Sequence, residues 1–141
     1  MEVQDLWLLA EQLCESDKQS ELRTAVNRSY YTAFHETEAI LQRGLDCAPP
    51  EDRPCLNHSD VGRLLRSWTS EARVRKLGMQ FGIEARGLAD VFWRCKDERE
   101  HADYHLTKVY NPEMVRAHMK RLRKLRAFAE KLDGVLRGLG L

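Results

Sequence analysis

Apolar residues recur along this chain at three- and four-residue intervals, and no convincing two-residue alternation of the kind a strand requires is present. Leu6, Leu9 and Leu13 predict a first short helix. Asp17 and Ser20 are candidate caps for a long second helix, in which Val26, Tyr30, Ala33, Phe34, Thr37 and Leu41 form a core stripe and Gly44 suits the end. The stretch "DCAPPEDRPCLN" (46–57) reads as a loop, because three prolines and three acids do not continue a helix. Ser59 or Asp60 is expected to cap a third helix carrying Val61, Leu64, Leu65 and Trp68. Gly78 and Gly82 punctuate the chain beyond it. A fourth helix, from about Ile83, turns Leu88, Val91, Phe92 and Cys95 inward. Asn111-Pro112 opens the last helix, with proline at a favoured first-turn position and Val115, Leu122, Leu125, Ala129, Leu132 and Leu136 as one long seam. Five helices with mostly short connections predict an all-α antiparallel bundle, and 141 residues suffice for a single domain over 1–141.

Composition narrows the function classes. A formal net charge of +1 argues against a large nonspecific nucleic-acid footprint, although "RAHMKRLRKLR" (116–126) is strongly basic. That helix reads first as a solvated face beside the apolar seam, and second as a surface that steers RNA. No run suits a bilayer, and the chain opens on Glu2 and Asp5 rather than on a basic-then-apolar leader, so a cytoplasmic, non-membrane protein is expected. Four cysteines (Cys14, Cys47, Cys55, Cys95) form no CxxC pair, so reduced thiols are expected. Cys47, Cys55 and His58 fit no usual zinc spacing, and no metal or other cofactor is expected.

Two segments carry residues able to do chemistry. On the second helix Arg28, Tyr31 and His35 share a face beside the core stripe. An arginine, a phenol and an imidazole together read first, on spacing alone, as a solvated face with Arg28 paired to an acid, and second as a platform for an anion or phosphate. The other segment is "RCKDEREHADYHL" (94–106), with three cations, four carboxylates and two histidines. Arg94 and His101 lie two turns apart on one face. Arg99 and Asp103 suit an ion pair. Arg99 and His105 diverge by roughly 120° on a regular helix and converge only if the helix ends between them. His101 and His105 are spaced for a shared metal but lack a clear third ligand. An arginine fork matches phosphate oxygens and a histidine moves protons near neutrality. Such a pair suits attack of a ribose 2′-hydroxyl on the adjacent phosphate without metal, and a two-fold axis would supply the second acid–base group.

Three stretches in order, "LRTAVNRSYYTAFHETEAIL" (22–41), "NHSDVGRLL" (57–65) and "REHADYH" (99–105), resemble the small HEPN-domain proteins of the UPF0332-like branch. The resemblance covers nearly the whole chain. It implies a helical bundle that dimerises, and a metal-independent ribonuclease site in which an arginine is followed, after four to six residues, by a histidine. Both Arg94–His101 and Arg99–His105 fit that spacing, and the Ala-Asp-Tyr register selects Arg99 and His105 as catalytic. By the same resemblance Arg28, Tyr31, Asp103 and Tyr104 support the site or bind phosphate, and a small nucleotidyltransferase is the expected antitoxin partner. Asp97, Glu98, Glu100 and Asp103 would repel phosphate unless they are paired or point away. Two functions are expected on this basis: a toxin-like homodimeric endoribonuclease acting on RNA, or a non-catalytic HEPN module that docks a nucleotidyltransferase or holds a nucleotide.

Overall fold

The computed structural model describes residues 2–44 and 58–140, which form six helices and no strand among the described residues. They are α1 (Val3–Leu13), α2 (Gln19–Gly44), α3 (His58–Trp68), α4 (Glu71–Leu77), α5 (Met79–Tyr104) and α6 (Pro112–Gly138). The stretch 46–57, expected as a loop, lies outside the described residues, and with it Cys47 and Cys55; the His58 side chain is likewise outside them.

The long helices α2, α5 and α6 build the core. Every residue of the α2 stripe from Val26 to Leu41 is buried, as is every residue of the α6 seam. On α5 Leu88, Phe92 and Cys95 are buried and Val91 is half-buried against them. Burial of the Cys95 thiol, reinforced by the nearby Glu98 carboxylate, raises its pKa to about 12, so it stays protonated. Val61, Leu65 and Trp68 carry α3 onto this core, where Trp68 meets Phe81 with ring centroids 5.5 Å apart. None of the described helices is long and apolar enough to cross a membrane.

Four details differ from the pattern in the sequence. The central stripe of α1 is Trp7 and Ala10, with Leu6, Leu9 and Leu13 half-buried on its flanks. Trp7 takes the centre because Arg123 and Arg126 of α6 lie over its ring, at 5.4 and 4.9 Å from the centroid. Neither Asp17 nor Ser20 caps α2. The Ser16 hydroxyl instead receives the Lys18 N–H at 3.1 Å and bonds the Glu21 carboxylate, while Ser20 lies within the first turn. Ser59 and Asp60 are already inside α3. Finally, α4 is an additional short helix, and α5 starts at Met79 directly after Gly78, whose φ of 102° favours glycine. Gly82 is therefore interior to α5. It lets α4 approach, since a Cβ there would stand 2.9 Å from Val74 Cγ2.

Candidate active site

The C-terminal end of α5 is held by one face of α2. Arg23, Asn27 and Tyr30 recur there at helical spacing and each reaches α5 or the chain just after it. Arg23 Nη1 donates to the Ala102 carbonyl at 2.7 Å, and Nη2 donates to the carbonyls of Leu106, at 3.1 Å, and Lys108. These acceptors include the final turn of α5, where backbone oxygens lack helical partners and a cation is favoured. Gln19 grips the next residues by both main-chain groups of Tyr110, accepting from its N–H at 2.7 Å and donating to its carbonyl at 2.6 Å. Asn111 then caps α6 by accepting from the Met114 N–H at 2.9 Å.

Arg99 lies inside this junction and is only 7% exposed. Its Nη1 stands 3.2 Å from Asp103 Oδ2, and its guanidinium lies over the Tyr30 ring at 5.4 Å. Asn27 Nδ2 donates to both Asp103 oxygens at 3.1 and 3.0 Å. Burial opposes the charge on Arg99, but the Asp103 hydrogen bond, with Tyr30 and Tyr31 nearby, outweighs it and raises the pKa. Arg99, Asp103, Tyr30 and Tyr31 are therefore brought together as a nearly closed unit. Arg28, one residue beyond Asn27, is exposed. His35 is exposed one turn from Tyr31, with ring centroids 6.1 Å apart.

His105 leaves the helix. It comes directly after the last residue of α5, with φ −102° and ψ 78°, and its ring is exposed. The condition set by spacing, that the helix end between Arg99 and His105, is met at Tyr104. The imidazole nevertheless packs edge-on against His101, with ring centroids 4.5 Å apart. Arg94, Glu98, His101 and His105 thus line one face of α5, across the helix from Arg99. Tyr104, Leu106 and Val109 are exposed beside His105, at 72%, 77% and 73%.

That face borders a cleft of about 410 Å³ between α5 and α6. In its wall Glu98 is the hub of a partly buried polar network. His118 of α6 stands with Nδ1 2.6 Å from Glu98 Oε2 and Nε2 3.2 Å from the Val26 carbonyl. Arg121 Nε lies 2.5 Å, and Arg94 Nε 3.6 Å, from Glu98 Oε1. Burial works to raise the Glu98 pKa, but the contacts with His118 and Arg121 overcome it and lower the value to about 2. Glu100 is paired with Lys96 at 2.6 Å, which lowers its pKa. Of the four carboxylates expected to repel phosphate, Glu98, Glu100 and Asp103 therefore have cationic partners.

The basic stretch 116–126 spends much of its charge within the fold. Arg116 pairs with Glu15 at 2.6 Å, Arg121 with Glu98, and Arg126 with Glu36 at 2.9 Å. Among the described residues no group of three or more metal-ligating side chains is found. Arg23, Asn27, Glu98 and His118 are the important residues that sequence spacing did not pick out. Only His118 left a signal, as a polar residue one turn from both Val115 and Leu122 in an otherwise apolar seam. Comparison with family models, with curated proteins and with solved structures returns no match to this chain.

Proposed function

We propose that the protein is a metal-independent endoribonuclease of HEPN type that works as a homodimer, with the C-terminal end of α5 as its catalytic surface. The observation that carries this reading is the pairing of the half-buried His101 imidazole with the exposed His105 imidazole, ring centroids 4.5 Å apart where the helix ends. RNA cleavage by its own 2′-hydroxyl needs one group to take the hydroxyl proton and another to give a proton to the departing 5′-oxygen. The 2′-oxygen bonds to phosphorus, the bond from phosphorus to the 5′-oxygen breaks, and a cyclic phosphate and a free 5′-hydroxyl result. Two adjacent imidazoles of opposite protonation state supply both transfers. Arg94, exposed on the same face, holds the phosphate. Arg99 acts as a positioning residue: through Asp103 and Asn27 it fixes the turn from which His105 projects. A second copy covering Tyr104, Leu106 and Val109 would bring its own imidazole pair to the same edge.

Incubation of the purified protein with mixed RNA in EDTA tests the reading. Cleavage that persists in EDTA and disappears in His105→Ala supports it. Absence of cleavage by the wild-type protein removes it.

A second reading is favoured by the burial of Arg99. Its charge is matched by Asp103, as suits a structural arginine in a non-catalytic HEPN module that docks a nucleotidyltransferase. An EDTA-independent lack of cleavage, together with a stable complex with a nucleotidyltransferase, selects this second reading.

A further inference from the structure

We infer that His101 and His105 together bind one late first-row divalent ion, of the class of nickel, copper and zinc, at the end of α5. The binding rests on the geometry of the two rings. Its consequence, that the bound ion silences the catalytic surface, rests on the ribonuclease reading above.

The two histidines are four residues apart, but His105 has left the helix, and its exposed ring rests edge-on against His101. The separation of the ring centroids, 4.5 Å, decides whether one ion can serve both. A metal–nitrogen bond of about 2.1 Å sets an ion about 3.2 Å from the centre of each imidazole. Two rings at a right angle about such an ion have centres about 4.5 Å apart, and at the tetrahedral angle about 5.2 Å. The observed separation is therefore that of neighbouring positions on a square-planar or octahedral ion, the preference of Cu²⁺ and Ni²⁺. A tetrahedral Zn²⁺ needs the exposed ring to move out by about 0.7 Å. The ring planes cross at 73°, so they share a line, and an ion on that line lies in both.

Charge selects the kind of ion. Glu98 is taken up by His118, Arg121 and Arg94, which leaves Asp97 and Lys108 as exposed, opposite charges on the cleft that His101 also lines. A hard cation such as Mg²⁺ depends on carboxylate charge, and one carboxylate beside a lysine gives it little. Nickel, copper and zinc bond to neutral imidazole nitrogen and tolerate this field. No third side chain completes the sphere among the described residues, so water fills the other positions. A nitrogen bonded to the ion has no lone pair left for a proton. The loaded pair is withdrawn from acid–base work, and the ion acts as an inhibitor rather than a cofactor.

Titration calorimetry of the full chain with Ni²⁺, Zn²⁺ and Mg²⁺, beside His101→Ala, His105→Ala and His35→Ala, tests the proposal. His35, an exposed histidine of α2, reports background binding. Ni²⁺ and Zn²⁺ are expected to bind, and Mg²⁺ is not. His101→Ala and His105→Ala should each weaken Ni²⁺ at least about ten-fold, while His35→Ala leaves it unchanged. Ni²⁺ should broaden the ring-proton signals of His101 and His105 before those of His35 and His118. Unchanged Ni²⁺ affinity in His101→Ala or in His105→Ala, displacement of Ni²⁺ by an equal concentration of Mg²⁺, or broadening centred on another histidine overturns the proposal. RNA cleavage should fall as Ni²⁺ fills the site and return on addition of EDTA, and cleavage that is indifferent to a filled site overturns the inhibition. The titration itself measures no cleavage. A protein that cuts RNA without binding nickel removes this inference alone, and one that binds nickel without cutting RNA in EDTA removes the ribonuclease reading alone.

Discussion

His118 Nδ1 stands 2.6 Å from Glu98 Oε2, and the opposite ring nitrogen stands 3.2 Å from the Val26 carbonyl. One imidazole, 1% exposed, therefore joins α6 to α5 and to α2 in the wall of the cleft. Both of its nitrogens face oxygen atoms of neighbouring helices. Arg121 completes the network from the next turn of α6.

The Glu98 carboxylate should make stability depend on acid. Its folded-state pKa, about 2, lies below the ordinary 4.5 because His118 and Arg121 prevail over the cost of burial. The contribution is whole above the unfolded value and is lost as pH falls from 4.5 through about 2. Discounted for partial exposure, it amounts to about 2 kcal/mol. Glu98→Gln should remove that much at pH 7 and flatten the acid limb. Urea denaturation of both proteins at pH 7, 4.5 and 3 measures it, and equal acid losses in the two proteins would contradict it.

Arg23 should govern the order of the chain after α5. Its three carbonyl acceptors are Ala102, Leu106 and Lys108, and its guanidinium lies 5.0 Å from the Tyr110 ring centroid. Charge-assisted hydrogen bonds of this kind each contribute about 1.5–3 kcal/mol, less where solvent competes. Arg23→Ala should cost about 2 kcal/mol overall. Amide exchange should accelerate over 105–110 while the cores of α2 and α6 keep their protection. Uniform acceleration across the bundle would show a global effect instead.

The contrast between α2 and α6 on one side and α1 and the α5 junction on the other explains what the sequence disclosed. The α2 stripe and the α6 seam are long and strictly periodic, so burial matched period at each stripe position from Val26 to Leu41. On α1 the leucines and Trp7 compete for one narrow face, and arginines more than a hundred residues away decided it. The Arg99–Asp103 pair was legible because both partners lie on one helix, four residues apart. Arg23 and Asn27 were not, because their acceptors are 76 or more residues distant and no local pattern encodes the meeting. The placement of His105 was half legible: spacing made its convergence with Arg99 conditional on the helix ending between them, and gave no sign that the ring would settle on His101.

Gly78 should resist substitution although space surrounds it. No atom lies within 4 Å of a Cβ built there, so packing imposes no cost. Its φ of 102° and ψ of 166°, however, fall in a region essentially reserved for glycine. Gly78→Ala should cost about 1–3 kcal/mol from backbone strain alone. Denaturant midpoints with an unchanged slope measure it, and a neutral substitution would mean that α5 can start differently.

Arg99 and His105 should separate positioning from chemistry. The isolated motif suggests that Arg99→Ala spares the fold, but the guanidinium is buried over Tyr30 and bound to Asp103. Its removal leaves that carboxylate to Asn27 alone, at an expected cost of about 3 kcal/mol, the lower end for breaking a buried pair. His105→Ala removes an exposed ring and should change stability by less than about 0.5 kcal/mol. If the two imidazoles transfer protons, His105→Ala and His101→Ala should each lower RNA cleavage at least about a hundred-fold. Arg99→Lys keeps a cation within reach of Asp103, so it should recover part of the lost stability and, with it, part of the cleavage. Unfolding curves and cleavage rates of the four variants, measured together, decide the roles. A fully stable Arg99→Ala protein without cleavage would hand the phosphate to Arg99. Tracking of cleavage with stability across the Arg99 variants assigns it to holding the turn that presents His105.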